Sequence, residues 1–320
     1  MTAWTDSPGG RRARAILTSR PFLTLAIVVA VWIAASIASR GFGAYGHLRY
    51  LVELGAVIGL VAAGQTFVVI AGGIDLSVAA IVTISLPLLS WQADPTGLAS
   101  VLAVLALTTA IGVVNGLGVA LLRVHPMIMT LAMATFLQGL LIIIAGGSAV
   151  TAENPLVHWL GNARPAGIPA GILLWIAVSV LVLTLMHATP FGARIFAMGA
   201  NPLAASLSGV PITSTTLAVY GISGFTAGLA GVLVLGMNGQ GYVGIGDPYL
   251  LASIAAVVLG GTSILGGLGT YAGTIPGAIL LVTITALITV VNASPGWRSI
   301  LFGSLILGLL LLSGREQARR

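Results

Sequence analysis

The sequence predicts an all-α, polytopic membrane protein of about ten transmembrane helices with both termini cytoplasmic. Two observations carry the fold class. Of 320 residues only 6% are charged and 58% are hydrophobic, with a mean hydropathy of +1.10, whereas a soluble domain carries about 25% charged residues. Apolar runs of about 20 residues recur along the chain, the length at which a helix crosses a bilayer, and the short alternating strands of a membrane barrel are not seen. A third observation, the placement of arginine, sets the orientation.

In chain order, Arg11, Arg12, Arg14 and Arg20 precede a first run from Pro21 to about Ser39, which is long for the core of a cleaved signal peptide and is read as a membrane helix. A second run, Leu51 to Ala71, breaks at Gly72-Gly73-Ile74-Asp75-Leu76-Ser77. The third reaches Ser90, a loop holds Asp94-Pro95, and the fourth spans Leu98 to Leu122. After the polar turn Arg123-Val124-His125-Pro126, the fifth spans Met127 to Ala145, and a longer loop carries Glu153, His158 and Arg164. The sixth ends near His187, the seventh covers Ser214 to Gly236, and a glycine-rich loop leads through Asp247-Pro248 into an eighth ending at Leu265. The ninth, Thr270 to Val291, and the tenth, Ser299 to Leu312, precede Arg315, Arg319 and Arg320. Residues 1–20 read as a cytoplasmic arm, 21–313 as one transmembrane domain with a cytoplasmic loop at 188–213, and 314–320 as a basic tail. With the N-terminus inside, nine of the 13 basic residues are cytoplasmic and four, Arg40, Arg49, Arg164 and Arg298, are outside, as the positive-inside rule requires.

Between the sixth and seventh runs, Pro190 to Pro211 forms a discrete cytoplasmic body. Asn201 caps a helix of about two turns, Pro202 suits its first position, and Gly209 with Pro211 stops it. So short a helix is unstable alone in water and must pack on something. Leu203 and Leu207, four apart, give it an apolar edge.

The remaining motifs exclude more than they assign. The basic residues are scattered at run ends rather than clustered on a face, so no nucleic-acid partner is expected. Without cysteine there is no disulfide or thiol chemistry. Gly221-Ile222-Ser223-Gly224 resembles the serine motif of rhomboid proteases, but all four histidines, His47, His125, His158 and His187, precede Ser223 and lie at run ends, leaving no base. No two histidines share a helix face for a metal. Gly221, Gly224, Gly228 and Gly231 instead form a small-xxx-small packing stripe. Asp75 has two open readings, a polar group on a solute path or a cap of the third helix. Gln65, Asn115, Thr130, Gln138 and Asn238 are the other polar groups able to face a pathway or to bond between helices. Gly260-Gly261 to Gly266-Gly267 echoes the first glycine pair, yet the register argues against an inverted repeat, the first break opening the third span and the second closing the eighth.

Taken together, Gly64-Gln65-Thr66 with Gly72-Gly73-Ile74-Asp75-Leu76-Ser77, Asn115-Gly116 ahead of Arg123-Val124, Phe191-Gly192 through Gly199-Ala200-Asn201-Pro202 and Ala204-Ala205 to Ser208-Gly209, and the Gly260-Gly261 to Gly266-Gly267 segment resemble the permease subunit of ribose-type ABC sugar importers. The resemblance covers most of the chain. It implies a dimerising permease in the bacterial inner membrane, identical or divergent in its two halves, bathed in membrane lipid. It implies a periplasmic sugar-binding protein that delivers a monosaccharide, and a cytoplasmic ATPase that binds ATP and Mg in place of any cofactor here. By position, Gly199, Asn201, Pro202, Ala204, Ala205, Ser208 and Gly209 would couple to the ATPase, and Gln65, Gly72, Gly73, Asp75, Ser77 and Asn115 would line the pathway. The chain departs from related permeases at Leu203, where an acidic residue is common, and at Ser206 and Gln138, where arginine is. The residues agree with the division of labour: a P-loop needs a lysine, and this chain has none. Alternatives are an ABC permease for a furanosyl autoinducer-type compound or nucleoside, and an ion-coupled secondary transporter using Asp75.

Overall fold

The protein is described here by a computed structural model covering residues 19–39, 41–89, 96–145, 150–151, 153–290, 294, 296–297, 299–304 and 307–308. Arg11, Arg12, Arg14, Arg40, Asp94-Pro95, Arg298, much of the tenth run and the basic tail lie outside these residues.

Helix α1 (Arg20–Ala38) is followed by α2 (Tyr45–Ile70), whose span is 94% buried and whose apolar side chains face every direction, the pattern of a helix enclosed by others. Around it and onward in the chain come α3 (Val78–Leu89), α4 (Leu98–Ala120), α5 (Pro126–Ala145), strand β1 (Val150–Thr151), α6 (Pro155–Asn162) and α7 (Ala170–His187). Then follow α8 (Pro190–Ala200), α9 (Pro202–Leu207), α10 (Ile212–Asn238), strand β2 (Gln240–Gly241), α11 (Asp247–Leu259) and α12 (Tyr271–Val290). β1 and β2 pair antiparallel, Val150 opposite Gly241. The core is built where α10 packs against α2, α3 and α4, with α7, α11 and α12 closing the rest of α2 and α3 resting on α5.

Among the described residues six helices are long and apolar enough to cross a membrane, α2, α4, α5, α7, α10 and α12, and α1, counted over Pro21–Ile37, α3 and α11 are shorter. The fold is therefore all-α and polytopic. α3 has 12 residues and α11 has 13, about 18–20 Å of helix against a hydrocarbon core of about 30 Å. Their connecting segments must cover the rest of the thickness.

The glycine pairs explain the short helices. Gly72 has φ +88°, Gly72 N–H donates to Val69 O and Gly73 N–H to Val68 O, both at 2.9 Å, which ends α2 with a left-handed glycine satisfying its last carbonyls. Gly261 ends α11 in the same way, with its N–H on Val258 O at 2.9 Å and that of Thr262 on Val257 O at 3.2 Å. Both pairs thus close a helix, which removes the difference in register on which the sequence reading turned. The lengths then run long, short, long twice: 26, 12 and 23 residues for α2, α3 and α4, and 27, 13 and 20 for α10, α11 and α12. The glycine stripe of α10 does pack a neighbour: a methyl on Gly224 or Gly228 would overlap Thr108 of α4.

Candidate functional site

Two constructions sit where α2 ends. The first is the break itself. Asp75 is fully buried, and its Oδ1 accepts the Ser77 N–H at 2.9 Å and the Ser77 hydroxyl at 2.6 Å. Its Oδ2 accepts the hydroxyl of Ser223, three turns into α10, at 2.7 Å. Ser77 in turn accepts the Asn115 amide of α4 at 2.9 Å, and the Thr130 hydroxyl of α5 accepts the Leu76 N–H at 3.0 Å while its own proton has Pro126 O within 2.9 Å. One seven-residue break is thereby tied to three other helices by side-chain hydrogen bonds. Asp75 bonds the turn entering α3, which is what the capping reading expects, and it also reaches across to another helix. A hydrogen bond to a charged group contributes about 1.5–3 kcal/mol, roughly twice a neutral one.

The second construction is the body from Pro190 to Pro211, which is two helices rather than one. α8 was read as loop because it has no long apolar run; its cue is Thr189-Pro190 at the start, then Gly192, Ile195 and Met198, three residues apart and buried. The chain turns at Asn201, whose side chain accepts the Ala204 N–H at 3.0 Å and caps α9. Pro202 takes the first position, Ala205 is buried, and Ser208 ends the helix. Gly209, at φ +82°, gives its N–H to Ser206 O, and Val210 gives its own to Ala205 O, both at 3.0 Å. Leu203 and Leu207 stand 71% and 82% exposed, an apolar edge that none of the described residues covers.

The two constructions touch through backbone. Gly199 fits so closely on the end of α2 that a methyl there would overlap the Ile70 carbonyl oxygen, and the Gly267 N–H donates to that same oxygen at 2.9 Å. A methyl on Gly266 would press on Gly199 O and on Gly72. Three glycine-bearing segments far apart in sequence, 72–73, 199 and 266–267, form one junction with almost no side chain in it.

Of the pathway candidates, Gly72, Gly73, Asp75, Ser77 and Asn115 are gathered here, and Gln65 is not. Gln65 lies in α2, fully buried, with neither side-chain atom hydrogen-bonded. Asn115 Oδ1 and the Tyr220 hydroxyl, beside which Gly73 packs, are also buried without partners. Ser223 was missed as part of this cluster because its motif pointed to nucleophilic chemistry. It sits two residues from a glycine of the packing stripe on a helix with no base, and what it meets is a carboxylate.

A bundle of membrane-length helices with a buried polar break, and with an external helical elbow fixed to that break, defines a transport permease. The comparisons agree in detail. A family model described as branched-chain amino acid transport system / permease component matches residues 48–310. The chain is 33% identical over 303 residues to the ribose import permease protein RbsC of Bacillus subtilis, covering 93% of each chain, and 31% identical to that of Escherichia coli K12, covering 98% and 99%. It is 31% identical over 304 residues to the L-arabinose transport system permease protein AraH of Escherichia coli K12, covering 92% and 90%. The chain belongs to this family, as a ribose-type ABC importer permease. It is a multi-pass inner-membrane protein and not itself an enzyme.

Proposed function

We propose that this chain passes a monosaccharide of the pentose or hexose class from a periplasmic binding protein across the membrane by alternating access, driven by a separate ATPase that binds Mg and ATP. The relatives named for ribose and L-arabinose supply the substrate class. The observation that carries the mechanism is the backbone junction at Gly199, Ile70 and Gly267. The ATPase engages α9 along Leu203 and Leu207, with Asn201, Pro202, Ala204, Ala205, Ser208 and Gly209 holding the shape it grips. Displacement of the elbow moves the end of α2 directly, because no flexible side chain lies between them. The movement continues into the break, where Asp75 and Ser77 carry it to Asn115 and Ser223 on α4 and α10, while Gln65 meets the solute further along α2. About 5.5 kcal/mol of differential binding takes such a switch from 1:99 to 99:1, within reach of nucleotide binding. The working unit is a pair of permeases. In it the largely exposed α4 and α5, with Phe136 and Ile143 outward, face the second copy, both termini are cytoplasmic, and the tenth run completes ten spans.

The test is uptake of labelled pentoses and hexoses into proteoliposomes carrying the permease and its ATPase, with binding protein outside and ATP inside. The proposal expects uptake of at least one monosaccharide that requires all three proteins and ATP hydrolysis. Uptake on a proton or sodium gradient without the ATPase would make the chain a secondary transporter instead.

A further inference from the structure

We propose that each copy of the chain holds its own recognition site for a neutral monosaccharide, in the cavity between α2, α11 and α12 at the end of the fold remote from the elbow. The proposal rests on the sugar-importer reading and adds where, within one chain, the solute is held. The cavity has a volume of about 550 Å³, inside the ordinary range for small-molecule sites. Its polar wall comes from His47 and Tyr50 in the first turns of α2, Asn238 at the end of α10, Gln240 in β2, Tyr242 beyond it and Thr285 on α12. Among the described residues no Asp, Glu, Lys or Arg lines it.

That wall carries the ligand class. A sugar ring presents an apolar C–H face, which stacks on aromatic rings, and hydroxyls that both donate and accept, which amides, phenols and threonine match. An inorganic ion or a phospholipid headgroup calls for charge, which the described lining does not supply. Part of the wall is unengaged: among the described residues the side chains of Tyr50, Gln240, Tyr242 and Thr285 make no hydrogen bond and the buried His47 Nε2 has no partner, whereas the Thr289 hydroxyl donates to Thr285 O at 3.1 Å and Tyr249 is engaged. Asn238 spends only its amide nitrogen, on Val234 O at 2.8 Å, and keeps its carbonyl oxygen. Deeper in, Leu54 and Ile58 of α2 narrow the cavity with apolar surface. Gln65 lies on the same face of α2, seven residues past Ile58 and about 10 Å along the axis. It is the next polar group inward, with both amide atoms unsatisfied.

Because the chain contains no cysteine, a Thr289→Cys variant puts a single thiol on the cavity wall. In nanodiscs with the ATPase and binding protein, its labelling by a membrane-impermeant maleimide is timed with D-ribose, L-arabinose, D-xylose or D-galactose, and uptake of the same sugars is measured in proteoliposomes. The transported sugar should slow labelling severalfold, and Asn238→Ala should raise the protecting concentration about tenfold, the loss of one good hydrogen bond. Ala252→Cys, also on the wall, serves if the first variant does not fold. Transport of a sugar that leaves both thiols labelled at the unprotected rate overturns the cavity site while the importer reading stands. Labelling in detergent that is blocked by lipid at every sugar concentration assigns the cavity to an acyl chain and overturns it too. If no sugar is transported but one protects, the importer reading fails and the site survives; if none is transported and none protects, both fail.

Discussion

Asp75 is held by two serine hydroxyls and a backbone N–H, and no basic side chain pairs with it among the described residues. A carboxylate accepts all three bonds, whereas an amide presents donors at one of its two positions. Asp75→Asn therefore sets an N–H group against either Ser77 or Ser223, and uptake at equal membrane abundance should fall at least about tenfold, the equivalent of one charge-assisted bond. Uptake equal to the parent chain would show that the cluster has no part in transport. Gln65 makes the opposite case. Its two unpaired amide atoms cost the fold about 1–3 kcal/mol, so Gln65→Leu should raise the thermal unfolding temperature in detergent and abolish uptake. A variant that gains stability and still transports would reduce Gln65 to an uncompensated defect. Asp75 was legible as the one acidic residue near a span interior, and Gln65 as a polar group inside a span. Ser223, 148 residues from Asp75, was not, because periodicity does not tell which face of an all-apolar helix meets which neighbour.

The elbow joins two helices that depend on different neighbours. α8 is held by burial of Ile195 and Met198, α9 by its own caps and by whatever covers Leu203 and Leu207. Burying a leucine contributes about 1.5–3 kcal/mol, so Leu203→Ser with Leu207→Ser should weaken ATPase association at least about tenfold, measured by co-purification or by biolayer interferometry. Unchanged association would move the docking face off α9. Gly209 has open space around it but a left-handed φ, so Gly209→Val costs about 1–2 kcal/mol from backbone strain alone. That substitution should loosen the end of α9 and lower uptake per ATP hydrolysed, with assembly retained; an unchanged ratio would make the turn a passive stop. The caps of α9 were readable from Asn201, Pro202 and Gly209 because capping is local chemistry. α8 was not, since its cue is three small or apolar residues on one side of a short amphipathic helix, and a search for membrane-length runs passes over it.

Arranged around α2, the helices repeat a long, short, long order, and each short member ends or begins at a segment rich in glycine. The number of apolar runs was plain in the sequence. That the third and eighth are too short to span was not, because the turn residues show where a helix stops and say little about how deep the loop then lies. The coming together of residues 72–73, 199 and 266–267 was likewise hidden: each glycine is locally explicable as a stop or a turn, and only the assembled fold shows them in contact. The mechanism stands on that contact. Its most direct measurement is the ratio of sugar imported to ATP hydrolysed by the reconstituted complex carrying Gly199→Ala, with assembly checked by size-exclusion chromatography. The junction requires an assembled complex that hydrolyses ATP while the ratio falls at least about tenfold, because a methyl forces the elbow off Ile70 and breaks the path by which its displacement reaches the break. An assembled complex with the parent ratio would contradict it.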